Sequence, residues 1–135
     1  MLIVKPDLSI RKNVEIIAPN INLLNLKLNH ELFEWVVENL IKNSIDAIGN
    51  SKGKIVISLQ EYFDNVEIEI TDNGKGISPK ERKNVFKPGF STKSRGWGLG
   101  LSLSKRIIED YHKGKLILKS SVPNEGTSFL IVLNK

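Results

Sequence analysis

The segment from Lys54 to Asp72, KIVISLQEYFDNVEIEITD, contains two stretches in which apolar and polar residues alternate. These stretches are residues 54–60 and 66–71, and Asp64-Asn65 lies between them. Alternation with a period of two is typical of β-strands with one buried face, and Asp and Asn favour turns. The segment therefore predicts a β-hairpin.

The clearest helix precedes this hairpin and covers residues 30–48. Its apolar residues recur at spacings of three and four, which places them on one face of an α-helix. Asn29 is suited to the N-cap, and Gly49-Asn50 to the end of the helix. The residues assigned to the buried face are Leu32, Phe33, Val36, Val37, Leu40, Ser44 and Ile48.

Two more helices are predicted after the hairpin. Ser78-Pro79-Lys80-Glu81 has the pattern of a capping box and predicts a short helix over residues 79–86. The glycine-rich stretch 89–100 opens another helix, which extends through Tyr111 and is ended by Gly114.

Further strands make the chain an α+β protein. The pattern of apolar residues and turn residues favours two more strand pairs. Helices are therefore interleaved with mainly antiparallel hairpins. We predict a two-layer α/β sandwich, in which a mixed, mainly antiparallel sheet is covered on one face by about three helices. The additional strand pairs are residues 115–121 with 127–134, around a turn at 123–126, and residues 13–18 with 22–28, around Pro19-Asn20.

The composition excludes several classes of function. The 135 residues include no cysteine and only two histidines, His30 and His112. Disulfide scaffolds, thiolate metal sites and cysteine nucleophiles are therefore excluded, and both histidines are interpreted as structural. No apolar run approaches the ~18 residues that cross a bilayer, and the first residues lack the pattern of a signal peptide. We expect a single cytoplasmic domain, residues 1–135, without membrane contact.

The formal net charge of +5 at pH 7 admits an anionic ligand without specifying one. Basic residues are scattered along the chain, and aromatic residues, at 7%, form no stripe on which single-stranded nucleic acid could stack. A solvated basic surface accounts for this charge. If there is an anionic partner, a nucleotide is favoured over nucleic acid, which we do not expect to bind.

Three polar residues of the long helix project together. Asn39, Asn43 and Asp46 lie within an arc of about 60° at 100° per residue. Amide oxygens can ligate Mg²⁺, so this strip is suited to the wall of a polar pocket. Ordinary boundary residues would give the same pattern.

A glycine-containing turn follows the first hairpin directly, Asp72-Asn73-Gly74-Lys75-Gly76-Ile77. The two glycines allow the backbone to approach a flat ligand closely. An aspartate at a strand end can accept a hydrogen bond from an exocyclic amine such as that of adenine. The alternative is a plain turn, because Asp-Asn-Gly favours one.

A second glycine-rich segment, Gly96-Trp97-Gly98-Leu99-Gly100-Leu101, leads into the last predicted helix. Its backbone N–H groups and the positive end of the helix dipole are suited to an anion. The nearby residues 92–95 add donors and charge. The spacing matches neither the dinucleotide G-x-G-x-x-G pattern nor a P-loop.

In this order, the three segments resemble the catalytic ATP-binding domain of sensor histidine kinases. That domain belongs to the superfamily shared with gyrase, mismatch-repair ATPases and the ninety-kilodalton heat-shock chaperone, and its ATP-binding fold is of the Bergerat type. The resemblance assigns the N box to residues 39–47, the G1 box to 72–77, the F box and ATP lid to 75–97, and the G2 box to 96–101.

The resemblance implies a role for each matched residue. Asn43 would ligate Mg²⁺ on the triphosphate with Asn39 beside it, and Asp72 would receive the adenine amino group, sharing a water with Thr127. Asn39, Lys93 and Arg95 would position the phosphates. The implied ATP site contains Asn39, Asn43, Asp46, Asp72, Gly74, Gly76, Ile77, Phe86, Thr92, Lys93, Ser94, Arg95, Gly96, Trp97, Gly98, Leu99, Gly100, Leu101 and Thr127.

One position separates kinase from ATPase. The related ATPases carry a glutamate four residues before the magnesium asparagine, and this chain has Asn39 there. The resemblance thus implies phosphoryl transfer to a histidine on a dimerisation domain, in cis or in trans, with a response regulator downstream. This chain alone would be monomeric. The alternatives are an anti-sigma-type protein kinase or regulator and an ATPase module.

Overall fold

The computed structural model describes residues 13–19, 26–89 and 99–135. Eight helices and strands lie in these ranges, and a single π-helical turn over Ile107–Tyr111 continues the last helix. The elements are β1 (Val14–Ile17), α1 (His30–Ile48), β2 (Gly53–Glu61), β3 (Asn65–Asp72), α2 (Pro79–Arg82), α3 (Gly100–Arg106), β4 (Lys115–Val122) and β5 (Gly126–Asn134).

The described strands form one sheet in the order β1-β2-β3-β5-β4. β1 runs parallel to β2, and every other neighbouring pair is antiparallel. The α+β class and the mixed, mainly antiparallel sheet are therefore confirmed. In this register the end of β3 lies beside the start of β5, because Asp72 pairs with Thr127.

The apolar core lies between the sheet and the helices. The alternation in β3 appears as alternating burial along the strand, which places Ile68 and Ile70 in the core together with residues of α1. From α1, Phe33, Leu40 and Ile41 are fully buried. The predicted apolar face of α1 is correct except that Leu32 is only half-buried, while Ile41 and Ile45 widen that face.

α1 begins and ends where the sequence predicted. Asn29 is the N-cap, and its Oδ1 accepts the N–H of Leu32 at 3.0 Å. Gly49 follows the last turn with φ of +64° and donates its N–H to Ile45 at 3.0 Å. A glycine adopts this left-handed conformation without strain, which explains the sharp end of the helix.

Two predicted helices differ from the structure. α2 ends at Arg82 rather than at residue 86, and the side chain of its N-cap Ser78 makes no capping hydrogen bond. None of the residues of α2 is buried, and the chain turns over 83–86 so that Val85 becomes buried. The helix predicted through Tyr111 changes from α to π geometry at Ile107, with His112 N–H donating to the Ile107 carbonyl.

One predicted strand is also wrong where it can be assessed. Residues 26–28 of the segment predicted as strand 22–28 have no strand structure, and residues 22–25 lie outside the described ranges. The apolar–polar alternation of that segment was weak, so little in the sequence specified a strand. Within the described ranges, no helix has both the length and the apolar character needed to cross a membrane.

His112 connects the end of the π-helical turn to the start of α1. Its Nε2 accepts the backbone N–H of Asn29 at 3.1 Å, and its Nδ1 lies 2.9 Å from the carbonyl oxygen of Ile107. With Nε2 accepting, Nδ1 carries the proton and donates it. One imidazole thus joins chain segments that are 83 residues apart in sequence.

We predict that His112→Ala lowers the free energy of unfolding by about 1–3 kcal/mol, because the partly buried N–H of Asn29 loses its acceptor. Urea denaturation measures the change. His30→Ala is the control, since His30 is exposed at the first residue of α1, and we expect it to change stability by less than about 0.5 kcal/mol. Equal effects of the two variants would contradict a bridging role for His112.

Candidate functional site

The loop after β3 packs directly against the end of α1. The Lys75 N–H donates to the carbonyl oxygen of Ala47 at 3.0 Å. Gly74 is buried, and a Cβ added there would lie 2.8 Å from the carbonyl carbon of Ala47. The absence of a side chain at position 74 therefore allows the two segments to pack backbone to backbone.

Asp72 is a buried acid at the end of β3, with 6% of its surface exposed. Its Oδ1 accepts the N–H of Gly74 at 2.8 Å. Burial raises the pKa of Asp72, and stabilisation of the ionised form by the Gly74 N–H, the Ser44 side chain and the Thr127 backbone counteracts that rise only in part. Three elements, α1, the loop after β3 and β5, therefore meet at one carboxyl group.

Thr127 lies opposite Asp72 and is part of a hydroxyl network. Its Oγ1 is 2.9 Å from Oγ of Ser121, which also accepts the N–H of Ile77 at 2.7 Å. Both hydroxyl residues are buried. The network fixes the loop after β3 to the β4–β5 hairpin and brings the predicted residues Asp72, Ile77 and Thr127 together.

Two glycines with positive φ permit this close packing. Gly76 has φ of +73°, and a Cβ there would collide with the carbonyl oxygen of Val122. Gly126 has φ of +138°, and a Cβ there would collide with the carbonyl oxygen of Asp72. Both positions therefore require glycine for conformational and for steric reasons.

The opposite end of the candidate site lies where α1 meets α3. Nδ2 of Asn39 donates to Oγ of the fully buried Ser104 at 3.1 Å. A Cβ added at Gly100, the first residue of α3, would lie 2.6 Å from Oδ1 of Asn39. The Asn39 amide thus occupies the space directly beside the start of α3.

Asn43 follows Asn39 by four residues on α1 and is half-buried, whereas Asp46 is exposed. Both residues take part in interactions with their surroundings. In the described part of the chain, no group of three or more acidic or histidine side chains could hold a metal ion. A cation at this site would depend on amide oxygens, water and the oxygens of a bound ligand.

Other predicted site residues have structural contacts. Phe86 makes an edge-to-face contact with Phe129, with 6.1 Å between ring centroids, and the Lys105 ammonium lies 4.6 Å from its centroid. Leu99 is half exposed just before α3, and Leu101 packs against the core. Seven predicted residues lie outside the described ranges: Thr92, Lys93, Ser94, Arg95, Gly96, Trp97 and Gly98.

Three buried serines contact predicted site residues but were not predicted themselves. Ser104 bonds to Asn39, Ser121 bonds to Thr127, and the Ser44 side chain stabilises the ionised form of Asp72. Ser44 carried one signal, since it is a polar residue on an otherwise apolar helix face. Nothing in the local sequence marks Ser104 or Ser121, because their partners lie on other elements.

Together with the family comparison, three features of the site define an ATP-binding catalytic domain. They are the glycine loop, the buried acceptor at a strand end and the amides of α1. Residues 29–135 match the family described as histidine kinase-, DNA gyrase B- and HSP90-like ATPase, and the chain belongs to this family. It is a catalytic ATP-binding domain of the sensor histidine kinase type.

Individual relatives agree with this assignment. The signal transduction histidine-protein kinase AtoS of Escherichia coli is 36% identical over 98% of this chain, which covers 22% of AtoS. The solved catalytic domain of histidine kinase ThkA has a TM-score of 0.77 and 31% identity, and the match covers 91% of this chain and 80% of that domain. The chain spans about a fifth of the length of the curated relatives it matches.

A further solved structure contains histidine kinase ThkA in complex with the response regulator protein TrrA. Its kinase matches this chain with a TM-score of 0.72 and 27% identity, over 91% of this chain and 34% of the ThkA chain. The complex itself is a property of ThkA.

We predict that Asp72→Asn becomes more stable relative to wild type as pH rises from acidic to neutral. The pKa of Asp72 is raised in the folded state by burial, so the protonated acid adds stability that is lost as pH rises through the folded pKa. Asparagine does not titrate. Urea unfolding at a series of pH values measures the free energy of unfolding of Asp72→Asn minus that of wild type, and a value that falls from acidic to neutral pH would contradict the raised pKa.

Proposed function

We propose that this domain binds Mg²⁺·ATP between α1, the loop after β3 and α3, and donates the γ-phosphoryl group to a histidine of a dimerisation domain. The histidine would be supplied in cis or in trans, and a response regulator would receive the phosphoryl group downstream. The observation that carries the proposal is the Asn39 amide, held by Ser104 against the start of α3. In the related ATPases a glutamate occupies that position.

The adenine end is assigned to Asp72. A buried carboxylate is a strong acceptor and suits the exocyclic amine of adenine, whereas guanine would place a carbonyl oxygen against it. Gly74 and Gly76 carry no side chains that could block a flat base, and Ile77 is held beside them through Ser121. The described residues therefore fit an adenine base.

The phosphate end is assigned to Asn43, Asn39 and the start of α3. Asn43 would provide an amide oxygen to Mg²⁺, which accepts neutral oxygen ligands and retains several waters. Gly100 would present its backbone to the phosphates. From the predicted set, Asp46, Phe86, Leu99, Leu101 and Thr127 complete the described part of the site, and residues 92–98 are assigned to it by resemblance.

The reaction is assigned to transfer rather than hydrolysis because Asn39 cannot act as a base. An amide takes up no proton at neutral pH, so the described site offers no positioned group at this point to activate water. In phosphoryl transfer a protein contributes mainly positioning and neutralisation of charge. The ThkA complex with TrrA and the kinase relatives support a two-component partner for this chain.

We predict that Asn43→Ala weakens Mg²⁺·ATP binding and leaves the binding of metal-free adenosine unchanged. Loss of an outer-shell partner typically costs roughly 10- to 100-fold in metal affinity, and loss of a ligand should cost at least as much. Isothermal titration calorimetry with both ligands measures this. Asn50→Ala is the matched control, since Asn50 is exposed in the turn after α1. An equal loss of adenosine binding would show that Asn43 shapes the fold instead.

We predict that the purified chain neither labels itself nor hydrolyses ATP rapidly, and that it transfers phosphate when a histidine-bearing dimerisation domain is added. The assay uses γ-labelled ATP, the chain and candidate dimerisation domains, and follows protein-bound label and released phosphate. Rapid hydrolysis by wild type that Asp72→Asn abolishes would contradict the proposal and favour the ATPase alternative.

A further inference from the structure

Lys105 lies in the last turn of α3, and its ammonium group contacts three groups in the described part of the chain. It donates to Oε2 of Glu109 at 2.9 Å and to the carbonyl oxygen of Leu116 at 3.1 Å. It also lies over the ring of Phe86, 4.6 Å from the ring centroid. An ammonium group has three N–H donors, so two are used by oxygen atoms and one is left for the face of the ring.

Glu109 and Leu116 fix the position of this ammonium group. Oε2 of Glu109 also accepts the backbone N–H of Leu116 at 3.2 Å, so the Lys105–Glu109 pair binds both polar backbone groups of one residue of β4. Leu116 is fully buried in the core. The cation is therefore anchored to the core and does not swing freely in solvent.

The Phe86 ring is held between this cation and the core. The ring is half-buried and meets Phe129 edge to face. Phe129 lies two residues after Thr127 on β5, and Thr127 pairs with Asp72. Phe86 therefore packs beside the strand that contributes to the base end of the candidate site.

The same turn of α3 also contacts the phosphate end of the candidate site. Ser104, the residue before Lys105, accepts the amide N–H of Asn39. Gly100, at the start of α3, is about 7.5 Å away from Lys105 along the helix axis at 1.5 Å per residue. Consecutive side chains of one helical turn thus contact the Asn39 amide and the Phe86 ring.

We propose that Lys105 is a positioning residue that acts through Phe86. Its contact with the ring fixes the base end of the site relative to the start of α3, so that a nucleotide meets both ends at the correct separation. The inference depends on the proposed function, because it assumes that the base binds at Asp72 and the phosphates at the start of α3. Adenosine has no phosphates, and its binding does not depend on this separation.

The test measures the affinities of Mg²⁺·ATP and adenosine by isothermal titration calorimetry. Lys105→Met removes the charge and keeps an unbranched apolar side chain over the ring, so the variant is expected to fold. We expect it to lower the ratio of the ATP affinity to the adenosine affinity by about two- to five-fold, as loss of a partly exposed cation–π contact would. Lys105→Arg keeps a cation that stacks on aromatic rings and should retain the wild-type ratio.

A double-mutant comparison separates the ring contact from a purely structural role of Lys105. Phe86→Leu removes the aromatic face and leaves the bonds from Lys105 to Glu109 and Leu116 in place. We expect this variant to lower the same ratio, and we expect Lys105→Met to lower it no further in that background. A decrease of equal size in both backgrounds would show that Lys105 does not act through Phe86 and would overturn the inference.

Lys115→Met is the matched control, because Lys115 is an exposed lysine on β4, next to Leu116. We expect the wild-type ratio in this variant, and a decrease equal to that of Lys105→Met would overturn the inference as a general effect of net charge. An unchanged ratio in Lys105→Met, with wild type binding Mg²⁺·ATP, would overturn the inference and leave the proposed function intact. A wild type that binds no Mg²⁺·ATP would overturn both.

Discussion

The arrangement of the site depends on burying one carboxyl group. A charge removed from water is costly unless it is hydrogen-bonded. The Gly74 N–H in the loop after β3 donates to Asp72, and the Ser44 side chain of α1 and the Thr127 backbone of β5 also stabilise its ionised form. Each donor reaches the carboxyl group only when the element that carries it is correctly placed. The requirement that makes Asp72 a strong acceptor for a ligand therefore also fixes the position of α1 over the end of the sheet. Folding and recognition of the base depend on the same set of hydrogen bonds.

Close backbone packing around the carboxyl group is a second constraint. The Gly74 N–H donates to Asp72 within a local turn, and the same turn lies against Ala47, a contact that excludes a side chain at position 74. Gly126 similarly brings the start of β5 against the carbonyl of Asp72. The glycines of the site thus keep the chain segments close enough for the donors to reach the carboxyl group.

Local signals predicted the elements, whereas contacts distant in sequence escaped prediction. The bounds of α1 followed from Asn29 and Gly49, and the place of Asp72 at a strand end followed from the alternation in β3. The partners Ser104 of Asn39 and Ser121 of Thr127 could not be predicted, because each hydrogen bond joins two elements whose relative position the sequence pattern does not specify. α2 was predicted too long for a related reason, since burial of Val85 decides where that helix ends.

Asn39 shows how packing can limit the chemistry of a site. Its amide is enclosed between the Ser104 hydroxyl and the backbone of Gly100. A glutamate in its place would be one methylene longer and would have to displace these contacts. Its negative charge would also be destabilised in neutral surroundings that accommodate an amide. A base also activates water only when it is well placed, because an error of ~1 Å can cost about 100-fold in rate. The contact between α1 and α3 therefore favours an amide at this position, and with it a site that positions a phosphoryl group without activating water.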